Sequence, residues 1–194
     1  MKKLCIVTVF VILGLGCSSS PYRNVNPDKI GKDSDLAGAD LGKAVLNGRD
    51  LSGSDLSNAN LKGAQMIGAN LTSAKMQKAD LQESDLSKAM LRGADLSFAN
   101  LIKANFSGSN LNFADLRASY GSKMDLTKAD IRGANLFGAD LSGADLRFAD
   151  LSAVDLTAVK LKGANCEGTI VSKKWKQNVM LQNVRNFDTI VWVE

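Results

Sequence analysis

From residue 36 to residue 166 an apolar residue stands at every fifth position, in one phase, without insertion or deletion. Of these 27 positions 21 are Leu; Met66, Met76, Phe106, Ile131 and Cys166 keep the place apolar, and Gly121 alone does not. Two residues before each of them the side chain is small, Ala at 18 and Ser at 5, and the residue between is Asp at 14 and Asn at 7. A period this strict constrains the fold more than any local propensity. In an α-helix, residues five apart are rotated by roughly 140°, so the Leu would wander round the cylinder and form no stripe. In a continuous strand an odd period throws successive Leu onto opposite faces. What remains is a short extended segment, its small residue and its Leu pointing the same way, followed by a corner.

If the corners are near right angles, four units close a coil of 20 residues. Coils stacked at about 4.8 Å pair their backbones with the coils on either side. The repeat then makes about 6.75 coils and a rod roughly 32 Å long. Small residues alternate with Leu to fill a narrow interior, and stability comes from stacked neighbours rather than from any single coil. The Asp or Asn before each Leu has short acceptor oxygens suited to capturing backbone N–H groups at the bends. The competing reading, an acidic ladder through Asp35, Asp55, Asp95 and Asp115 that binds calcium, is interrupted by Lys75 and loses its charge at Asn135. The glycine-rich nonapeptide of calcium-binding β-rolls is also missing.

The unit A-[D/N]-L-x-x, as in Ala94-Asp95-Leu96-Ser97-Phe98 and Ala139-Asp140-Leu141-Ser142-Gly143, resembles the pentapeptide-repeat family. The resemblance implies an all-β, right-handed quadrilateral β-helix of about 7 coils across residues 34–171. Three places depart from the pattern. Arg49 at a small inward position suggests a frayed or loosely closed first coil. Met124 occupies another such position, and Tyr120-Gly121 replaces the usual Asp-Leu pair. Gly121 removes a core side chain, so the expectation there is a local bulge, or a cavity filled by Tyr120 or Met124.

The ends are different objects. Lys2 and Lys3 precede an apolar run over residues 4–15, too short to span a bilayer as a mature helix but suited to a secretory signal. It ends in Gly14-Leu15-Gly16-Cys17-Ser18, similar to a bacterial lipoprotein signal, with Gly14 where the usual motif has Leu. The resemblance implies that residues 1–16 are removed and that Cys17 carries the lipid. Ser18 after it implies the outer membrane, facing the periplasm. Residues 17–33 read as a flexible tether; counted to Ser34 the chain after Cys17 reaches at most about 55 Å. Beyond Cys166 the rhythm persists through Thr169 and Val171, then stops. In residues 172–194, Ser172 is placed to cap a short helix with Trp175, Val179 and Met180 along one side, and residues 189–193 read as a strand. Covering the open end of the solenoid is the expected use of this segment; pairing two copies through Trp175 and Trp192 is the competing one.

Chemistry is sparse. The chain has no His, the commonest general base and metal ligand. Cys5 leaves with the signal, Cys17 goes to lipid and Cys166 points inward, so neither a disulfide framework nor a paired-Cys metal site forms. No cofactor or catalytic residue is expected. The formal charge of +4 falls to about +2 without Lys2 and Lys3, and residues 34–166 balance 15 basic against 15 acidic side chains, which argues against nucleic acid. Lys43, Lys62, Lys103, Lys123, Lys160 and Lys162 share one wall with Asp40, Asp80, Glu83 and Asp140, a mixed and solvated surface. Phe98, Phe113, Phe137 and Phe148 fall on three walls and make no single patch. The functional expectation is an exported, lipid-anchored, non-enzymatic structural or interaction module of the bacterial cell envelope, engaging an envelope protein or glycan. The family resemblance implies one alternative, a gyrase-protecting mimic of DNA, for which the repeat lacks the acidic excess.

Overall fold

The computed structural model describes Asn26 and residues 29–194; Cys17, the signal and most of the tether lie outside them. Each five-residue unit repeats one backbone path. Ala39 N–H donates to Leu36 O at 3.0 Å, closing a four-residue turn whose third member, Gly38, has φ +66°. A left-handed third residue is the type II pattern. Lys43 and Phe98 hold the same conformation at φ +61° and +60° without the freedom of glycine. That is unfavourable by roughly 1–2 kcal/mol for an isolated residue; here the stacked coils on both sides hold the corner in place.

Between corners a single residue forms the wall. Asp35 bridges Asp55, which bridges Lys75; Asp40 bridges Asn60; Val45 bridges Gln65; and Asp50 bridges Asn70, all parallel. A partner 20 residues away on every wall means four units per coil. Within one unit, Asp55 N–H donates to Ser34 O at 2.9 Å, Leu56 N–H to Lys75 O at 2.6 Å, Asn58 N–H to Gln77 O at 2.8 Å and Ala59 N–H to Leu56 O at 3.1 Å. The fifth amide, Ser57 N–H, has no backbone partner and donates instead to Asp55 Oδ1 at 3.0 Å. All 21 Asp and Asn at this position accept the same bond from the residue two further on. The preference for Asp or Asn thus follows from the one amide per unit that the ladder leaves over.

Every Leu of the phase from residue 36 to residue 166 is buried, and Phe106, the largest fully enclosed side chain, replaces one of them. The first coil is closed, contrary to the expectation of fraying. Arg49 keeps the regular turn, its N–H donating to Leu46 O at 3.1 Å, and its guanidinium lies half-buried with Nη1 donating to Ile30 O at 3.3 Å. Ile30 is itself buried. An out-of-phase apolar side chain and one Arg together cover that end of the core.

No bulge forms at Gly121. Tyr120 bridges both Asn100 and Asp140, Gly121 N–H donates to Asp140 O at 2.8 Å, and Met124 N–H closes the turn on Gly121 O at 3.1 Å. Tyr120 is exposed, whereas Met124 is fully buried and a Cβ on Gly121 would lie 2.6 Å from its Sδ. Met124 therefore occupies the volume that Leu fills elsewhere, an exchange of large and small between two neighbouring inward positions.

One wall parts. Among the described residues the N–H groups of Gly133, Leu136, Gly138 and Asp155 make no hydrogen bond, and the bridge from Asn135 to Asp155 is absent. One coil earlier the corresponding groups are paired: Phe113 with Arg132 O, Leu116 with Asn135 O, Ala118 with Phe137 O and Asn135 with Ala114 O. The parted wall carries Val154 at an inward position that is Ala or Ser in most units, and Val159 follows at the start of the next wall, where Asp140 still bridges Lys160; β-branched bulk at Val154 accounts for the parting. Val154 O is instead taken by Trp175 Nε1 at 2.9 Å.

Beyond the repeat, β1 (Asp150–Leu151), β2 (Ile170–Ser172) and β3 (Val191–Val193) form a parallel three-stranded sheet in that order. A 3-10 turn (Lys173–Trp175) leads into α1 (Lys176–Met180), and Val179 and Ile190 are buried, with Trp175, Val184, Phe187 and Trp192 packed on the core. Ser172 makes no side-chain cap bond, because it ends β2, and Trp175 holds the position before α1. Met180 points to solvent, not along the buried side of the helix.

Candidate interaction surfaces

Cys17 lies outside the described residues. What the structure does place are the walls. The carboxylates that alternate up the solenoid are spent on their own backbones and on one another's neighbours: Asn60 Nδ2 donates to Asp40 Oδ1 at 2.8 Å, Asn100 to Asp80 at 3.0 Å and Asn105 to Asp85 at 3.1 Å. Three Asp pair with the Arg two residues on. Arg117 reaches Asp115 at 2.6 Å, Arg132 reaches Asp130 at 2.7 Å and Arg147 reaches Asp145 at 2.8 Å. The Arg132 guanidinium draws the Asp130 carboxyl down to about 2 against partial burial, with Asn112 Nδ2 adding a bond at 2.9 Å. Partial burial pushes Asp115 and Asp145 upward, and their Arg partners outweigh it, so both carboxyls also lie below their ordinary range. These groups stay ionised and neutralised by neighbours, an arrangement suited to a stable polar face rather than to proton transfer.

The six lysines of the mixed wall are all exposed. Lys43, Lys103 and Lys123 occupy left-handed corners of one column, Lys103 pairs with Glu83 at 3.4 Å, and Lys160 bridges Asp140. Phe98, Phe113, Phe137 and Phe148 are exposed too. Two of them are stacked onto the next coil: a Cβ at Gly133 would lie 2.8 Å from the Phe113 ring, and one at Gly168 would lie 2.6 Å from the Phe148 ring. At these two corners the ring leaves room only for glycine above it, whereas the corner above Phe98 is Ala118. Arg92 lies over the other part of the Phe113 ring, 5.5 Å from its centroid. Cys166 is enclosed, and burial pushes its thiol up to about 11, so it is an inert core group.

The model of the family described as pentapeptide repeats matches residues 34–72, 69–108, 99–143 and 139–173. The chain belongs to the pentapeptide-repeat family. Pentapeptide-repeat proteins fold as right-handed β-helices and are generally non-catalytic structural or interaction modules. Among solved structures, a trypsin-treated variant of QnrB1, a plasmid-mediated fluoroquinolone resistance protein, is similar at 21% identity over 84% of this chain and 79% of that one, with a TM-score of 0.50. HetL, a pentapeptide-repeat protein involved in heterocyst differentiation regulation from the cyanobacterium Nostoc sp. strain PCC 7120, is similar at 27% identity over 72% of this chain and 78% of its own, with a TM-score of 0.46. No curated protein sequence matches the chain. These likenesses concern the fold alone.

Two features were not legible in the sequence reading. Ile30 and Arg49 cover the N-terminal end of the core; the signal for Ile30 is an apolar residue one place out of phase, which the period masks. At the other end, Met180 and Leu181 stand exposed beside Lys160 and Lys162, because Leu161 N–H donates to Gln182 Oε1 at 2.6 Å in place of a carbonyl of the next rung, and backbone pairing resumes only with Gly163 N–H to Asn183 O at 3.3 Å.

Proposed function

We propose that this chain is an exported, lipid-anchored module of the bacterial cell envelope, attached through Cys17 to the outer membrane facing the periplasm. It works without catalysis, as a rigid rod of about 7 coils closed at its C-terminal end by residues 172–194. The observation that carries the reading is the junction of a charged start, a short apolar run and Gly16-Cys17-Ser18 with a repeat domain whose Asp and Asn are bonded to its own backbone. Acyl chains add about 0.8 kcal/mol per buried methylene, and two or more hold a protein stably at a bilayer. The partner is an envelope protein or glycan that reads the ordered polar walls. The role of a gyrase-protecting DNA mimic is disfavoured by the balance of 15 basic and 15 acidic side chains over residues 34–166, with no acidic excess to imitate phosphates.

Mass analysis of the N-terminus of protein taken from membrane fractions tests the anchor. A diacylated or triacylated Cys17, lost in Cys17→Ser, is the expected result; an unmodified terminus at another residue refutes it. Submicromolar binding of the mature chain to purified gyrase would restore the alternative.

A further inference from the structure

Leucine in the five-residue phase is buried at all 21 places in the repeat, yet Leu181, three units beyond Cys166 in the same phase, is 72% exposed, and its neighbour Met180 is 58% exposed. The break has a local cause. After α1 the chain does not close another coil at this corner; Gln182 reaches back to Leu161 N–H and Asn183 O to Gly163 N–H, which leaves Met180 and Leu181 projecting as a tip. Lys160 and Lys162 flank Leu161, whose N–H donates to Gln182 Oε1, so two exposed cations stand beside the tip. Arg185 Nε donates to Gly163 O at 3.1 Å, and Lys176, one helical turn before Met180, holds its ammonium 5.8 Å from the Trp192 ring centroid. Glu167 stands on the adjoining wall, two residues after the Asn165 that Arg185 bridges, so the excess of cations is centred on Lys160 and Lys162. Asp140 lies one coil further back beneath Lys160, engaged with the amide of Ser142.

We propose that this corner, made of Met180 and Leu181 beside Lys160 and Lys162, docks onto a bilayer surface rich in anionic phospholipid. An apolar pair flanked by two lysines matches an interface with phosphate at its surface and hydrocarbon beneath it. A purely acidic protein would satisfy the cations and leave the pair in water. The proposal rests on the lipid-anchored reading, which brings a bilayer within reach. A second contact at the far end of the rod then gains from the raised local concentration that the tether provides.

The buried core of the described residues runs from Ile30 to Ile190, and a chain beginning at Ser18 keeps all of it and carries no lipid. The test is sedimentation of that chain with vesicles of phosphatidylcholine containing about a third phosphatidylglycerol. Binding at 0.1 M salt and its loss on pure phosphatidylcholine are expected. Lys160→Glu with Lys162→Glu, and separately Met180→Asp with Leu181→Asp, each weaken binding tenfold or more. Lys43→Glu with Lys62→Glu, the same change of charge at the other end of the wall, leaves it within about twofold. Unchanged thermal melts show that the variants fold. No binding to the anionic vesicles, equal binding by wild type and both tip variants, or capture of an acidic protein in place of vesicles overturns the proposal. Because this chain has no acyl group, failure here leaves the anchor reading intact, and an unmodified Cys17 in the mass measurement leaves vesicle binding intact.

Discussion

The exchange at Gly121 and Met124 makes a sharp test of how the core is filled. Elsewhere a unit turns Leu and then Ala into the interior; here it turns Gly and then Met, which carries one side-chain heavy atom fewer in total. Met124 is fully buried, and its truncation to Ala removes the only atoms that cover the missing Leu, leaving a void lined by Leu141. Met→Ala in a core costs about 2–5 kcal/mol, toward the upper end when the void cannot collapse. A rigid, doubly laddered wall gives little room for collapse. Gly121→Leu alone drives a new Cβ to 2.6 Å from Met124 Sδ and 3.0 Å from Leu141 Cδ2, an overpacking that costs about 1–3 kcal/mol. The two changes together rebuild the ordinary unit. The void and the clash cancel, and loss of a strand glycine returns about 0.5–1 kcal/mol. The double variant should therefore lie within about 1 kcal/mol of wild type, with a coupling of at least about 2 kcal/mol between sites that would otherwise add. Urea unfolding of the four chains, followed by circular dichroism, reads this directly. Additive losses in the double variant would show that Met124 does not stand in for the absent Leu.

The buried hydroxyls of Ser109 and Ser119 have no partner, unlike that of Ser84, which donates to Leu81 O at 2.7 Å. Ser109→Ala and Ser119→Ala should each stabilise by about 1 kcal/mol in the same urea assay, while Ser84→Ala should not. Asp130 is held down to about 2 by Arg132, so its contribution is present above its unfolded pKa near 4 and is lost as pH falls toward 2. Arg132→Gln should remove about 1 kcal/mol at pH 7, after screening at this partly exposed site, and almost none at pH 2; a difference that is constant with pH would contradict the pairing. At the parted wall, hydrogen exchange should find the amides of Leu136, Gly138 and Asp155 far less protected than those of Leu116, Ala118 and Asn135. Val154→Ala should slow them, and unaltered exchange would remove valine bulk as the cause.

Most of this fold was legible because its determinants are local and repeated. The period excluded helix and flat strand, the small–polar–Leu order identified which side chains face inward, and the Asp or Asn between them announced the one amide per unit that needed a side chain. The reading failed where two positions act jointly. At Gly121 the expectation left a bulge, Tyr120 and Met124 open, because the pattern does not say which neighbour turns inward; the structure keeps the coil regular and supplies the volume from Met124 three places later. Arg49 looked like a defect because Ile30, the group it serves, stands outside the phase. Val154 is apolar and passed the pattern, yet a narrow solenoid is sensitive to shape as well as polarity.

The same logic explains why function is harder to read here than fold. In regular coils that satisfy each amide, enclose each Leu and pair each strongly perturbed carboxylate with its own neighbour, the repeat leaves no group in search of a reaction. Specific recognition must then come from where the repeat is broken, since a partner reading only regular rungs could bind at any of them and would have no register. The breaks are few: the corner aromatics stacked on glycine, the parted wall over Gly133, Leu136 and Gly138, and the tip at Met180 and Leu181. Among these only the tip joins exposed apolar side chains to unbalanced charge. A variant with the tip made polar should keep the stability of the solenoid, because neither side chain touches its interior, and lose only the contact that the solenoid exists to present.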